Sequence, residues 1–121
     1  FVKLLAYSAH HSADFMLTAA ESVAAGEAQF THSGGHGLLE VSALGVGKAG
    51  ALAAVCAERG IAAHDVVAFG DMPNDLAMLE WAGTSYAMAN AHPTVRELAR
   101  HVAPSNEEDG VAAVLAEIFD L

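Results

Sequence analysis

The sequence predicts an α/β fold built on a parallel sheet with flanking helices. Three observations carry this reading. After residue 45, short apolar runs alternate with helix-length segments, and glycines stand where the longer segments stop. Of the 121 residues, 54% are hydrophobic and 17% charged, a composition that folds rather than stays disordered. A chain of this length buries roughly 65–70% of the surface its unfolded form exposes, which is enough for one core and not for two independent ones. One domain, or pieces of two, is expected.

Each element has a local reason. Residues 1–7 form an apolar run suited to a strand, and Ser12 with Asp14 opens a helix that runs to Ala25 and stops at Gly26. Residues 28–33 suit a second strand, the glycine-rich stretch 33–37 a loop, and 38–42 alternates as a third strand before Gly45-Val46-Gly47 breaks it. A helix is expected over 48–59, ended by Gly60, then a strand over 66–69 and a helix over 74–81 ended near Gly83. A strand over 85–88, a helix over 94–100 opened by Pro93, and a short apolar piece at 102–103 follow. The last helix is introduced by Ser105-Asn106 and is expected to carry Glu107, Glu108 and Asp109 in its first turn, where carboxylates favour the helix dipole.

The charge balance narrows the partners. Fifteen acidic residues against five basic ones give a net charge of −10, and Lys3, Lys48, Arg59, Arg96 and Arg100 are scattered. No basic stripe exists for a phosphate backbone or an anionic membrane, so nucleic acid and membrane are not expected partners. A membrane span needs about 20 apolar residues, a run this sequence lacks. A soluble protein is expected. The single Cys56, set in an alanine-rich helical run, excludes an internal disulfide and a cysteine zinc cluster, reads as a small buried hydrophobe, and suits a reducing, cytoplasmic setting. The apolar start lacks the basic region and cleavage site of a leader, and reads as a chain entered mid-sequence.

Chemistry concentrates in residues 66–79, where a strand runs into Gly70 and then presents Asp71, Asn74 and Asp75 before a helix. Ligands of open α/β sheets bind at the carboxyl ends of strands, and two acids four residues apart converge across such a turn. Carboxylate oxygens suit Mg²⁺, a hard cation that keeps waters and is shared with substrate phosphates. The competing reading is that the two acids merely cap the helix. A second constellation, Gly45-Val46-Gly47-Lys48-Ala49-Gly50, formally satisfies G-x-G-x-x-G, so a dinucleotide-binding domain using Gly45, Gly47 and Gly50 with Asp71 on a ribose stands as an alternative. A plainer reading gives Lys48, at a helix N-terminus, to a phosphate. The seven histidines (His10, His11, His32, His36, His64, His92 and His101) form no H-E-x-x-H, and glycines between His32 and His36 argue against a helical metal pair, so surface or loop positions are expected. No G-x-S-x-G elbow is present.

Taken together, Glu40-Val41, Gly45-Val46-Gly47-Lys48-Ala49, the run Phe69 to Leu79, Ala87 to Ala91, and Ser105 to Val111 resemble, in order and spacing over about residues 38–119, the haloacid dehalogenase (HAD) superfamily. The likeness is to its Cof-type phosphatases. The resemblance implies that Lys48 binds phosphate, that Asp71 ligates Mg²⁺ with Asp75 supporting the metal through water, and that Asn74, Asn90 and Gly70 line the site. It further implies that residues 1–39 are the tail of an α/β cap domain and 40–121 the C-terminal half of a Rossmann-like core, with Ser33 and His36 where the two face each other. Family members attack phosphate with the first Asp of a D-x-D motif, and this chain contains no D-x-D. The expected function is therefore part of a Mg²⁺-dependent phosphatase of small phosphomonoesters such as sugar phosphates, working through an aspartyl-phosphate whose nucleophile lies outside this chain. The stretch alone is expected to be inactive, and a bare strand edge beside residues 66–69 to favour self-association. A non-catalytic interaction module is the remaining alternative.

Overall fold

The computed structural model describes residues 3–34 and 36–121. The start of the first expected strand, Phe1 and Val2, and loop residue Gly35 lie outside the described residues. Among the described residues six strands and five α-helices follow in the expected order: β1 (Leu4–Tyr7), α1 (Ala13–Ala24), β2 (Gln29–Thr31), β3 (Leu38–Ser42), α2 (Lys48–Arg59), β4 (Val67–Gly70), α3 (Leu76–Trp81), β5 (Thr84–Met88), α4 (Pro93–Leu98), β6 (His101–Ala103) and α5 (Gly110–Ile118).

The strands divide into two sheets. β4, β5 and β6 pair in parallel in that order, with α3 and α4 as the crossovers. β1, β3 and β2 form an antiparallel sheet with β3 in the middle, carrying α1. Because β3 pairs with β1 from Leu38 to Val41 and with β2 through Ser42, the antiparallel unit continues past residue 39, and a division at 39/40 falls inside a strand. The first loop after the sheet begins at Ala43.

Local signals set the helix ends. Ser12 Oγ accepts from the Phe15 N–H and starts α1, and Gly60, left-handed at φ 67°, ends α2 while its N–H returns to the Ala57 and Cys56 carbonyls. The expected first turn of the last helix is different. Glu107 and Glu108 lie in a separate 3₁₀ turn (Asn106–Glu108), closed by a Ser105–Glu108 capping box, and Asp109 at φ 52° breaks the path before α5 starts at Gly110. The acids thus close a connecting turn instead of neutralising the α5 dipole. Residues 73–75 likewise form a 3₁₀ turn ahead of α3 rather than its first turn.

The core lies between the parallel sheet and its helices: Ala68, Leu79, Ala82, Ala87, Met88, Val95, Ala103 and Val114 are buried. Much of this list is alanine, which lets helices approach the strands closely, while Leu79 at 1% exposure contributes about 1.5–3 kcal/mol of burial. Cys56 is buried and free, as expected. Asp14 ties the layers together by reaching His32 and His92; burial raises its carboxyl, but the two imidazoles outweigh this and hold its pKa below the ordinary 3.8. No helix of the described residues is long and apolar enough to cross a membrane.

Candidate active site at the end of strand β4

β4 ends at Gly70, and the chain turns through Pro73 so that Asp75 comes back beneath it. A Cβ at Gly70 would stand 2.6 Å from Asp75 Cβ and 3.0 Å from Leu79 Cδ1, so only glycine permits this approach. The Asp75 carboxylate is buried and fully engaged. Oδ2 accepts the Asp71 N–H at 3.0 Å and the Met72 N–H at 3.3 Å, and Oδ1 accepts from Lys48 Nζ. It makes no side-chain cap to α3 itself; it closes the capping box of the 3₁₀ turn ahead of α3 through the Met72 N–H, and its second oxygen goes beyond capping to hold Lys48.

Lys48 arrives from the first position of α2, whose N-cap Gly47 offers no side chain, so the free N–H groups there add positive potential beside the ammonium. Its side chain is half exposed and lines two clefts. One contains Gly70, Asp71, Asp75 and Asn106; the other contains Lys3, Gln29, Thr31, Glu40 and Asn74. The lysine that the sequence assigns to a phosphate thus sits where both clefts meet, pinned by a buried acid.

The remaining expected residues divide. Asp71 reaches the first cleft, with Oδ2 accepting from Asn106 Nδ2 at 2.9 Å and no hydrogen-bond partner on Oδ1 among the described residues. Asn74 lines the second cleft, its N–H bonded to the His32 carbonyl. Asn90 lines neither: its Oδ1 accepts from the Asn106 N–H at 2.8 Å and fastens the loop that carries Asn106. Asn106 itself went unrecognised as a site residue, because the residues around it read as a helix start; the signal available was its place in the Ser105 to Val111 run. Ser33 donates to Glu40 on the wall of the second cleft, and His36 lines a separate cleft with His10 and His11. His32, in the loop just past β2, meets the parallel unit: it is a loop position as expected, but buried at 1% exposure.

Glu40 forms the wall between β3 and the second cleft. Burial raises its carboxyl, but hydrogen bonds from Lys3 and Ser33 and the Lys3 and Lys48 charges outweigh this, so its pKa lies below the ordinary 4.5. A lowered native pKa adds stability that is complete above 4.5 and is lost as pH falls through the lowered value. Glu40→Gln is therefore expected to flatten the acid limb of the stability profile below about pH 4.5, read from urea midpoints; an unchanged acid limb would count against the Lys3–Ser33–Glu40 network.

The dinucleotide alternative fails on topology. A dinucleotide fingerprint needs a strand, helix and parallel strand in one sheet, whereas β3 before Gly45 belongs to the antiparallel sheet and β4 after α2 to the other. Gly45 instead takes a left-handed turn at φ 76°, and a Cβ on Gly50 would meet its carbonyl at 2.9 Å.

Comparison with known proteins agrees with this geometry. The chain is 46% identical over 77 residues to the 5-amino-6-(5-phospho-D-ribitylamino)uracil phosphatase YcsE of Bacillus subtilis (strain 168), covering 64% of this chain and 31% of that protein. It is 40% identical over 84 residues to YitU of the same organism, a phosphatase of the same description, covering 69% and 31%. SMU.1108c from Streptococcus mutans UA159 superposes with a TM-score of 0.86 at 30% identity, covering all of this chain and 46% of that one. The chain thus spans about a third of the length of these curated relatives. The sequence profile of haloacid dehalogenase-like hydrolases matches residues 1–115, and with strand β4, its glycine and the Lys48–Asp75 pair arranged as described, the chain belongs to that family.

Proposed function

We propose that this chain forms the phosphate- and metal-holding part of a Mg²⁺-dependent phosphatase of small phosphomonoesters. The observation that carries it is the Lys48–Asp75 pair at the end of β4, which holds one ammonium between two clefts with Asp71 alongside. A phosphomonoester presents two negative charges, and Lys48 with the free N–H groups of α2 is a matching cationic end. Asp75 acts as a positioning residue: it orients Lys48 with one oxygen and the Asp71 turn with the other.

The donor set fits a hard cation. Asp71 Oδ1 is open to the cleft, Asn106 fixes the other oxygen, and Asp75 has both oxygens committed to Lys48 and the backbone, so it reaches a metal only through water. Bound there, Mg²⁺ supplies positive charge to a phosphate oxygen. Phosphoryl transfer to an aspartate needs a nucleophile in line with the leaving oxygen, and that carboxylate would come from outside this chain. The parallel sheet leaves β4 with one neighbour among the described residues, and this free side is where we place the missing strand. Residues 1–42 would then be the end of a cap and the clefts' outer wall. Gln29, Thr31 and Glu40 on that wall suit a hydroxyl-bearing leaving group, in keeping with the phosphorylated ribityl compound in the relatives' names.

Hydrolysis of p-nitrophenyl phosphate tests this. The chain alone is expected to show no Mg²⁺-dependent turnover, and the longer parent the proposal requires is expected to show turnover that Asp71→Ala lowers by about 10²–10³. Turnover by the isolated chain, or a parent indifferent to Asp71→Ala, would refute it. The chain alone is also expected to self-associate through β4, where Val67 is 37% exposed; a monodisperse monomer in light scattering would speak against this edge.

A further inference from the structure

Away from the Lys48 clefts, three side chains from distant parts of the chain converge between the two sheets. Asp14 comes from the first turn of α1, His32 from just past β2, and His92 from the N-cap of α4. His32 Nε2 and His92 Nε2 each lie 3.0 Å from the same oxygen, Asp14 Oδ1, and the three donor atoms all fall within 4.8 Å of one another. The His32 side chain is 2% exposed, that of His92 20% and that of Asp14 62%, so the cluster has a buried floor and an open mouth.

We propose that Asp14 Oδ1, His32 Nε2 and His92 Nε2 form a binding site for a divalent transition-metal ion of Zn²⁺ or Co²⁺ type, with solvent as the remaining ligand. A four-coordinate ion with bonds of about 2.0–2.1 Å sets neighbouring donors ~3.3–3.4 Å apart, so the two 3.0 Å contacts open by a few tenths of an ångström and the two imidazole nitrogens, within 4.8 Å of each other, come to the same separation. Two imidazole nitrogens with one carboxylate oxygen suit Zn²⁺ and its neighbours and disfavour Mg²⁺ and Ca²⁺, which take oxygens. The site is therefore chemically distinct from the all-oxygen surroundings of Asp71.

At His92 the proton positions allow it. A ligating imidazole donates from its other nitrogen, and His92 Nδ1 lies 2.9 Å from Thr94 Oγ1, which can accept that proton. The longer contact, 3.3 Å from the Thr94 N–H to the same nitrogen, is given up. At His32 the other nitrogen, Nδ1, is buried without a partner, so ligation through Nε2 leaves that N–H without an acceptor, a cost the ion has to offset. An ion here would join residues 14 and 92, 78 positions apart, and fasten α1 of the antiparallel layer to the loop ahead of α4 in the parallel one.

The test is titration of the tag-free 121-residue chain with Co²⁺, followed by optical spectroscopy and back-titration with Zn²⁺. The expected result is a saturable one-to-one tetrahedral Co²⁺ spectrum, displaced by Zn²⁺ and indifferent to excess Mg²⁺. Asp14→Asn and His92→Gln change partly exposed side chains, and each is expected to weaken binding at least ~10-fold with an unchanged far-ultraviolet dichroism spectrum, whereas Asp71→Ala leaves the spectrum in place. Absence of a saturable tetrahedral signal overturns the proposal. So does a signal that persists with unchanged affinity in both variants, or one that Asp71→Ala removes.

Discussion

Asp75→Ala is expected to destabilise the chain by about 3 kcal/mol, read as a fall in the urea midpoint at unchanged slope. The carboxylate is 6% exposed and accepts from one ammonium and two backbone N–H groups. Hydrogen bonds to a charged group contribute roughly 1.5–3 kcal/mol each, and they are not additive here because one carboxylate serves all three. Part of the loss is returned when the acid's own desolvation is relieved. Lys48, half exposed, regains water, but the Asp71 and Met72 N–H groups are left without their acceptor. Asp75→Asn keeps an acceptor for those two donors while turning an amide N–H toward the ammonium, and its cost should fall between wild type and alanine. A loss below about 1 kcal/mol in Asp75→Ala would mean that the turn is held by packing of Pro73 and Leu79 and not by this carboxylate.

The second large effect is expected at Gly110. A Cβ there would meet the Pro104 carbonyl oxygen at 2.0 Å and carbon at 2.6 Å, and Met88 Cε at 2.8 Å. A methionine end can swing away; a backbone carbonyl cannot without moving its chain. Overpacking usually costs about 1–3 kcal/mol, and with backbone as the obstacle Gly110→Ala is expected at the top of that range, near 3 kcal/mol in urea unfolding. The displacement has a second consequence. Asn106 lies within the same loop, held by Asn90, and supplies the amide that steadies Asp71. Gly110→Ala should therefore also sharpen or shift the Asn106 side-chain amide resonances in nuclear magnetic resonance spectra, where a purely local clash would leave them alone. A stability loss under 0.5 kcal/mol would show that α5 tolerates a shift at its start.

Much of the fold was legible because its signals are local. β3 over 38–42 and α2 over 48–59 match the expected limits residue for residue, and in each case a nearby break marks them: Gly45 in a left-handed turn and Gly60 as a left-handed cap. The last helix was misread for an equally local reason. Ser105-Asn106-Glu107-Glu108-Asp109 has the composition of a helix start, and the capping box does form, but Asp109 takes a positive φ and α5 begins one residue later. Nothing in the composition of that run distinguishes one turn of 3₁₀ helix from the first turn of a longer α-helix.

The candidate site shows the opposite balance. Gly70, Asp71 and Asp75 stand within six residues, and a strand ending in a glycine before two acids is readable as chemistry. How the acids divide their work was not readable, since Asp75 is taken by Lys48 from 27 positions upstream and Asp71 by Asn106 from 35 positions downstream. The same holds for the histidines. His32 and His36 invite comparison because they are close in sequence, yet His32 meets His92 and Asp14.

The sequence by itself determined the order and type of the elements, the strand-end position of the acids and the lysine at a helix start. Capping, turn and alternation energies act between residues a few positions apart, so they are written in the chain. Only the tertiary structure decided that β1 to β3 pair antiparallel in a sheet of their own, that Asp75 is a buried clasp while Asp71 keeps an open oxygen, and that Asp14, His32 and His92 share one point. Those outcomes rest on contacts closed by folding, where burial and hydrogen-bond geometry choose among many partners that the sequence leaves equally available.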